Sequence, residues 1–191
     1  GTFNFDPAKW MSDDFTATKD AENNTWTVKR KPAVAMIDKA EYTSLAKAVA
    51  AVKDGETITL VANEVFTENN RYNNGGYWDG LGYAGDKDFT LDLNGYTISR
   101  NLAIPTEDGQ VFRVTSGSLT IMDSSEEGTG TITGGNNKGD GGGFYMDNGT
   151  LYIEGGNITG NKCTGNGAGV YWYSSGNFAM TGGIITENEA D

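Results

Sequence analysis

Apolar and polar positions alternate in short runs along most of this chain, and the runs return at a nearly fixed interval. Gly130-Thr131-Ile132-Thr133-Gly134-Gly135-Asn136 comes back as Gly156-Asn157-Ile158-Thr159-Gly160-Asn161, and again as Gly183-Ile184-Ile185-Thr186-Glu187-Asn188. The central isoleucines are 26 and 27 residues apart. Short β-prone runs with that period, punctuated by glycine, predict a solenoid whose coils bury their apolar positions against one another. Two further runs keep the same step. Val111 and Val114, then Phe144 and Met146, then Val170 and Trp172 occupy one inward position; Leu119 and Ile121, Leu151 and Ile153, and Phe178 and Met180 occupy the next. Each coil is therefore expected to be three-sided, with its strands stacking into parallel sheets at about 4.8 Å per step. Five such coils would reach roughly 24 Å. Asn136, Asn161 and Asn188 follow the third strand each time and predict a corner ladder of side-chain amides.

The front of the chain is patterned differently. Phe15-Thr16-Ala17-Thr18-Lys19 and Thr25-Trp26-Thr27-Val28-Lys29 alternate around the polar turn Asp20-Ala21-Glu22-Asn23-Asn24, which predicts a β-hairpin. Residues 1–31 are read as that module and its linker, and residues 32–191 as the solenoid domain. Because an isolated hairpin is marginal in water, it is expected to pack on the next unit, with Trp10, Phe15 and Trp26 as its contacts. Within the second part, Leu45, Ala48, Val49 and Val52 form an apolar stripe at helical spacing. Thr43 or Ser44 can cap its start, and Lys53 and Gly55 suit its end, so a capping helix is expected over 44–53. Between the first core strand and Phe89 lies a long insertion, 63–88.

Composition narrows the classes. Of 191 residues, 28 are glycine, without the three-residue period of collagen. The formal net charge of −12 opposes binding to a nucleic-acid backbone or to an anionic membrane surface. No signal peptide or run long enough for a transmembrane helix is present. The chain has no histidine and one cysteine, Cys163, which excludes an internal disulfide and a His-assisted thiol nucleophile, and disfavours zinc. Cys163 is expected to be packed at a corner. The chain opens at Gly1-Thr2-Phe3 and closes at Asp191 just after a repeat, which reads as a piece of something longer.

Several stretches resemble a known family. Tyr42-Thr43-Ser44-Leu45-Ala46-Lys47-Ala48-Val49, Asp54-Gly55-Glu56-Thr57-Ile58-Thr59-Leu60, Leu91-Asp92-Leu93-Asn94-Gly95-Tyr96-Thr97-Ile98 and Ser118-Leu119-Thr120-Ile121-Met122-Asp123-Ser124-Ser125, with the Gly-Gly-x-Ile-Thr repeats, carry the likeness. They are similar to the right-handed parallel β-helix modules, of the pectin-lyase-like fold group, in large extracellular proteins of Gram-positive, often gut-dwelling bacteria. The likeness covers roughly residues 33–191. It implies an all-β solenoid, a right-handed parallel β-helix of about five coils, with an N-terminal capping helix and a preceding β-hairpin module. It also implies a secreted or cell-wall-associated location. It leaves function open, because the fold hosts lyases, hydrolases, adhesins and stalks.

Candidate chemistry is sparse. Lyases of this fold use acidic residues for calcium and a basic residue as proton acceptor, yet Arg30, Arg71, Arg100 and Arg113 fall in no matching pattern. Arg113 alternates with Phe112 and should point outward; Arg100 should lie at a corner. Asp123 and Glu154 are the carboxylates expected one coil apart, at the separation of a retaining glycosidase pair, or as a solvated edge. No catalytic residue is assigned. The insertion offers more. Arg71, Tyr72, Tyr77, Trp78, Asp79 and Tyr83 combine flat rings with hydrogen-bonding partners, as the face of a sugar requires; the same rings would equally form a satellite core. Tyr145 and Tyr171 should stack on an outer face, with Tyr171 and Tyr173 outward and Trp172 inward. Calcium at Asp86, Asp88, Asp123, Asp140 or Asp147 is a second ligand the loops allow, without a strict calcium-loop spacing. The expected role is a non-catalytic, surface-displayed adhesin or stalk that binds carbohydrate or a host glycan through 71–83. The alternatives are a polysaccharide lyase or glycoside hydrolase, and a purely structural spacer. The uncovered last coil would also permit end-to-end self-association.

Overall fold

The computed structural model describes residues 1–66, the backbone of 81–83, and 87–191. Its strands are short, mostly two to six residues, because a glycine or asparagine corner interrupts each apolar run. They stack coil upon coil. Ser118–Met122, Thr131–Thr133, Asn136–Asn137, Phe144–Met146 and Thr150–Ile153 follow one another around a single turn. Each lies in parallel register with its counterpart on the next coil. The result is an all-β solenoid of about four turns, consistent with the pectin-lyase-like architecture. A seven-stranded, a five-stranded and a four-stranded sheet form its sides. A further three-stranded sheet of two-residue strands, headed by Asn136–Asn137, adds a short fourth side that the three-sided expectation lacked.

The interior is built of ladders. Ile98, Ile132 and Ile158 stack in register, as do Leu119 with Leu151 and Ile121 with Ile153, and all are buried. In the four-stranded sheet the inward residues are Phe112 and Val114, facing Phe144 and Met146 of the next coil. The Phe112 and Phe144 rings stack with centroids 5.1 Å apart. The tight corners need glycine. A Cβ on Gly142 would lie 2.5 Å from the Lys162 carbonyl oxygen of the next coil, and Gly141 and Gly167 repeat a left-handed φ of 73° and 66° one coil apart.

The amide ladder is real but shifted. Asn161 Oδ1 accepts from Gly135 N, and Asn188 Oδ1 accepts from Asn161 N. The position equivalent to Asn161 is therefore Gly135, not Asn136, which stands opposite Lys162. The extra glycine in Gly134-Gly135-Asn136 moves that asparagine one residue along the strand. Cys163 is buried, its Sγ donating to Asn166 O, and burial pushes its thiol pKa up.

The start of the solenoid is closed by two devices. Ala35–Ile37 pairs antiparallel with Thr57–Leu60, and Ala40–Tyr42 pairs antiparallel with Ala35–Ile37. This hairpin ends the parallel ladder of the seven-stranded sheet, a role that the sequence pattern assigns to the helix alone. The helix itself spans Leu45–Ala51, with Ser44 as its N-cap accepting from Lys47 N. It buries Leu45 and Ala48, and Val52 is buried just past its end. The insertion 63–88 is not one loop. Glu64–Val65 and Leu81–Tyr83 are coil strands, joining the five-stranded and four-stranded sheets respectively.

The chain divides into two units, Gly1–Ala33 and Val34–Asp191. The first is a three-stranded antiparallel sheet in which Thr25–Arg30 lies between Thr2–Phe3 and Phe15–Asp20. The Asp20 carboxylate accepts from the amides of Glu22 and Asn23, and Asn24 takes a left-handed φ of 50°, which closes the turn. Phe3, Phe5 and Trp10 meet edge to face at 5.6 and 5.5 Å, and all three remain exposed.

Candidate ligand face

Five of the six residues singled out in the insertion, Arg71, Tyr72, Tyr77, Trp78 and Asp79, lie outside the described residues. The sixth, Tyr83, is in the strand Leu81–Tyr83, whose register sets Gly82 against Arg113 and Tyr83 against Val114. Leu81–Tyr83 is the edge strand of the four-stranded sheet. That sheet carries the second aromatic run.

Period-two alternation sorts its side chains. Phe112 and Val114 turn inward, so Arg113 turns outward. Phe144 and Met146 turn inward, so Tyr145 turns outward one coil on. Tyr171 continues the row on the next coil. Arg113, Tyr145 and Tyr171 therefore form a stripe parallel to the solenoid axis, about 10 Å long at the strand spacing. The guanidinium of Arg113 lies 5.0 Å from the centre of the Tyr145 ring. Tyr145 and Tyr171 are tilted against each other at 5.4 Å, the outer-face pair expected from the sequence. Tyr173 stacks on Tyr145 at 6.5 Å and is well exposed. Trp172 keeps the inward register opposite Met146 but is 42% exposed; its indole donates to Ser174 O.

Carboxylates border the stripe. The Asp140 carboxylate accepts from Asn166 N and Nδ2 and from the Tyr171 hydroxyl, and these bonds, led by the Asn166 amide, hold its pKa below the usual range. Asp147 follows Met146 and belongs to the same neighbourhood. Burial raises the Tyr145 phenol pKa; Arg113 works against this, and Asp147, Tyr173 and Asp140 add to it. Tyr171 is raised by partial desolvation, then by Asp140. Both phenols stay protonated at neutral pH, so each offers one donor and one acceptor.

The expected carboxylate pair does not assemble. Strand register sets Ile121 against Ile153, so Glu154 continues opposite Met122, while Gly155 sits over Asp123. Asp123 accepts from Gly95 N, Ser125 N, Ser125 Oγ and Gly130 N. Burial alone would raise its pKa, but these donors together lower it. Asp92 is likewise held by Asn94 N, Ser124 N and Ser124 Oγ. Both are corner clamps between coils. Arg100 is not at an open corner but fully buried, with Nη1 donating to Gln110 O and Asp108 O and the guanidinium 5.2 Å from the Phe66 ring centre. Burial lowers its pKa, and Asp108 opposes the shift. Sequence reasoning missed it because a polar residue after a strand reads as surface. No group of three or more His, Cys, Asp or Glu side chains is placed to hold a metal among the described residues. No helix among them is long and apolar enough to cross a membrane.

Comparisons of this chain with family models, with curated proteins and with solved structures find no match.

Proposed function

We propose that the solenoid domain is a non-catalytic, surface-displayed adhesin module that binds carbohydrate on the outer face of its four-stranded sheet. The observation that carries this reading is the Arg113-Tyr145-Tyr171 stripe, extended by Tyr173, on the outer face of the four-stranded sheet. Aromatic rings supply apolar faces for pyranose C–H groups, and protonated phenols with flanking amides supply partners for sugar hydroxyls. The carboxylates of Asp92 and Asp123 are occupied in joining coils. The resemblance noted above adds the finer features: a large extracellular parent of Gram-positive, gut-type bacteria, displayed at the cell wall. Right-handedness follows from the strong preference of parallel crossover connections for that hand.

The test is a glycan array probed with the chain, with and without calcium, beside Tyr171→Ala and Trp78→Ala variants. Binding that is lost in Tyr171→Ala supports the stripe. Loss in Trp78→Ala alone moves the site to the insertion. Turnover of any bound polysaccharide, read as new reducing or unsaturated ends, would replace the adhesin reading with the lyase or hydrolase one. Absence of binding throughout would favour the spacer.

A further inference from the structure

Resting on the carbohydrate reading, the charges around the stripe narrow the ligand class. Arg113 is already engaged with the face of the Tyr145 ring. The Tyr171 hydroxyl is anchored to Asp140, whose carboxylate also fixes the Asn166 corner of the next coil. Asp147 comes directly after the inward Met146, its amide bonded to Val114 O of the previous coil, and its carboxylate acts on Tyr145 together with that of Asp140. Among the described residues, the rings are thus bordered by the carboxylates of Asp140 and Asp147 and the guanidinium of Arg113, on a chain whose net charge is −12. A sugar lying on these rings meets hydroxyl donors, carboxylate and amide acceptors, and a negative field.

We propose that the Arg113-Tyr145-Tyr171-Tyr173 face selects uncharged glycans and rejects polyuronates. Neutral sugar hydroxyls donate well to carboxylates, and such charge-assisted bonds are the stronger kind. A uronate carboxylate brought onto the same rings meets the field of Asp140 and Asp147, and like-charge juxtaposition is how an interface excludes the wrong partner. Asp147 is the selector that can be altered safely. Its side chain has a local partner in Asn148 Nδ2, whereas Asp140 joins two coils.

The experiment is a calorimetric titration of the whole chain with β-linked glucose, mannose and xylose oligosaccharides and a galacturonate oligosaccharide of matched length, at low and at high salt. A neutral oligosaccharide is expected to bind at least about ten-fold more tightly than galacturonate at low salt, with the gap shrinking as salt screens the carboxylates. Asp147→Asn should narrow the gap chiefly by improving galacturonate binding, and far-ultraviolet circular dichroism would verify that the variant keeps its fold. Tighter binding of galacturonate than of every neutral sugar, or a gap unchanged by Asp147→Asn, would overturn this selectivity while leaving carbohydrate binding intact. If no oligosaccharide binds, the carbohydrate reading itself fails, and the selectivity with it.

Discussion

Two coils of this solenoid pair strand for strand in register and live in different surroundings. Ile158 and Ile185 occupy one ladder position in register, yet the first is 1% exposed and the second 38%. Met146 and Trp172 repeat the contrast, as do Ile153 and Met180. At the opposite end, the antiparallel hairpin and the helix Leu45–Ala51 leave Ile58 and Leu60 wholly buried. Inward direction is a property of each strand. Burial is a property of its neighbours, because in a quasi-one-dimensional stack each coil buries its apolar positions against the adjoining coils.

The strongest way to break this comparison is truncation in each coil. Ile158→Ala should cost about 2–5 kcal/mol in denaturant unfolding. Ile185→Ala should cost at most about half as much, since less area leaves water there. Equal costs would mean that the last coil is covered in solution. The amide ladder gives the next effect. Asn161→Ala strands the Gly135 amide and the Ile132 carbonyl in a buried setting, for about 2 kcal/mol. Asn188→Ala, whose bonds to Asn161 N and Ile158 O are only part-buried, should cost about 1 kcal/mol. Amide hydrogen exchange at Gly135 should accelerate in the first variant and not in the second.

Two carboxylates give smaller effects, of opposite sign with pH. Asp123 has a lowered pKa in the folded chain, so its contribution is present above the unfolded value near 3.8 and is lost as pH falls through the folded one. Asp123→Asn should therefore flatten the acid limb of the stability profile. Glu64 is raised, chiefly by burial, with the Leu45 amide opposing the shift. Its folded form holds the proton more tightly, so its stabilising effect is complete below 4.5 and fades as pH rises through the folded value. Glu64→Gln should raise the melting temperature at neutral pH and change it little in acid. A neutral-pH destabilisation would assign Glu64 a partner that needs its charge.

Much of the fold was legible because periodicity encodes direction. The Thr-Ile-Thr runs, the alternating hairpin and the Leu45-Ala48-Val49-Val52 stripe each announce which side faces inward, and the pairing of Tyr145 with Tyr171 follows from the same rule. Where pattern and structure part, corner length is the cause. One added glycine displaces Asn136 from the amide ladder, and matching letters cannot reveal a one-residue change in backbone register. The Asp123–Glu154 pair is offset by strand register instead, which sets Glu154 opposite Met122 and Gly155 opposite Asp123. The insertion hides two coil strands because Glu64–Val65 and Leu81–Tyr83 are too short to stand out without the strands they pair with.

By itself, the sequence determined the solenoid period, the inward and outward faces and the acidic character, all properties that reside in local pattern and composition. Tertiary structure alone decided which corner carboxylates join coils, that Arg100 is buried, how the first edge is closed, and that Arg113 lies over the Tyr145 ring at the head of the tyrosine pair. These depend on which residues hydrogen-bond across coils some 26 to 34 positions apart, a choice made by the whole stack at once.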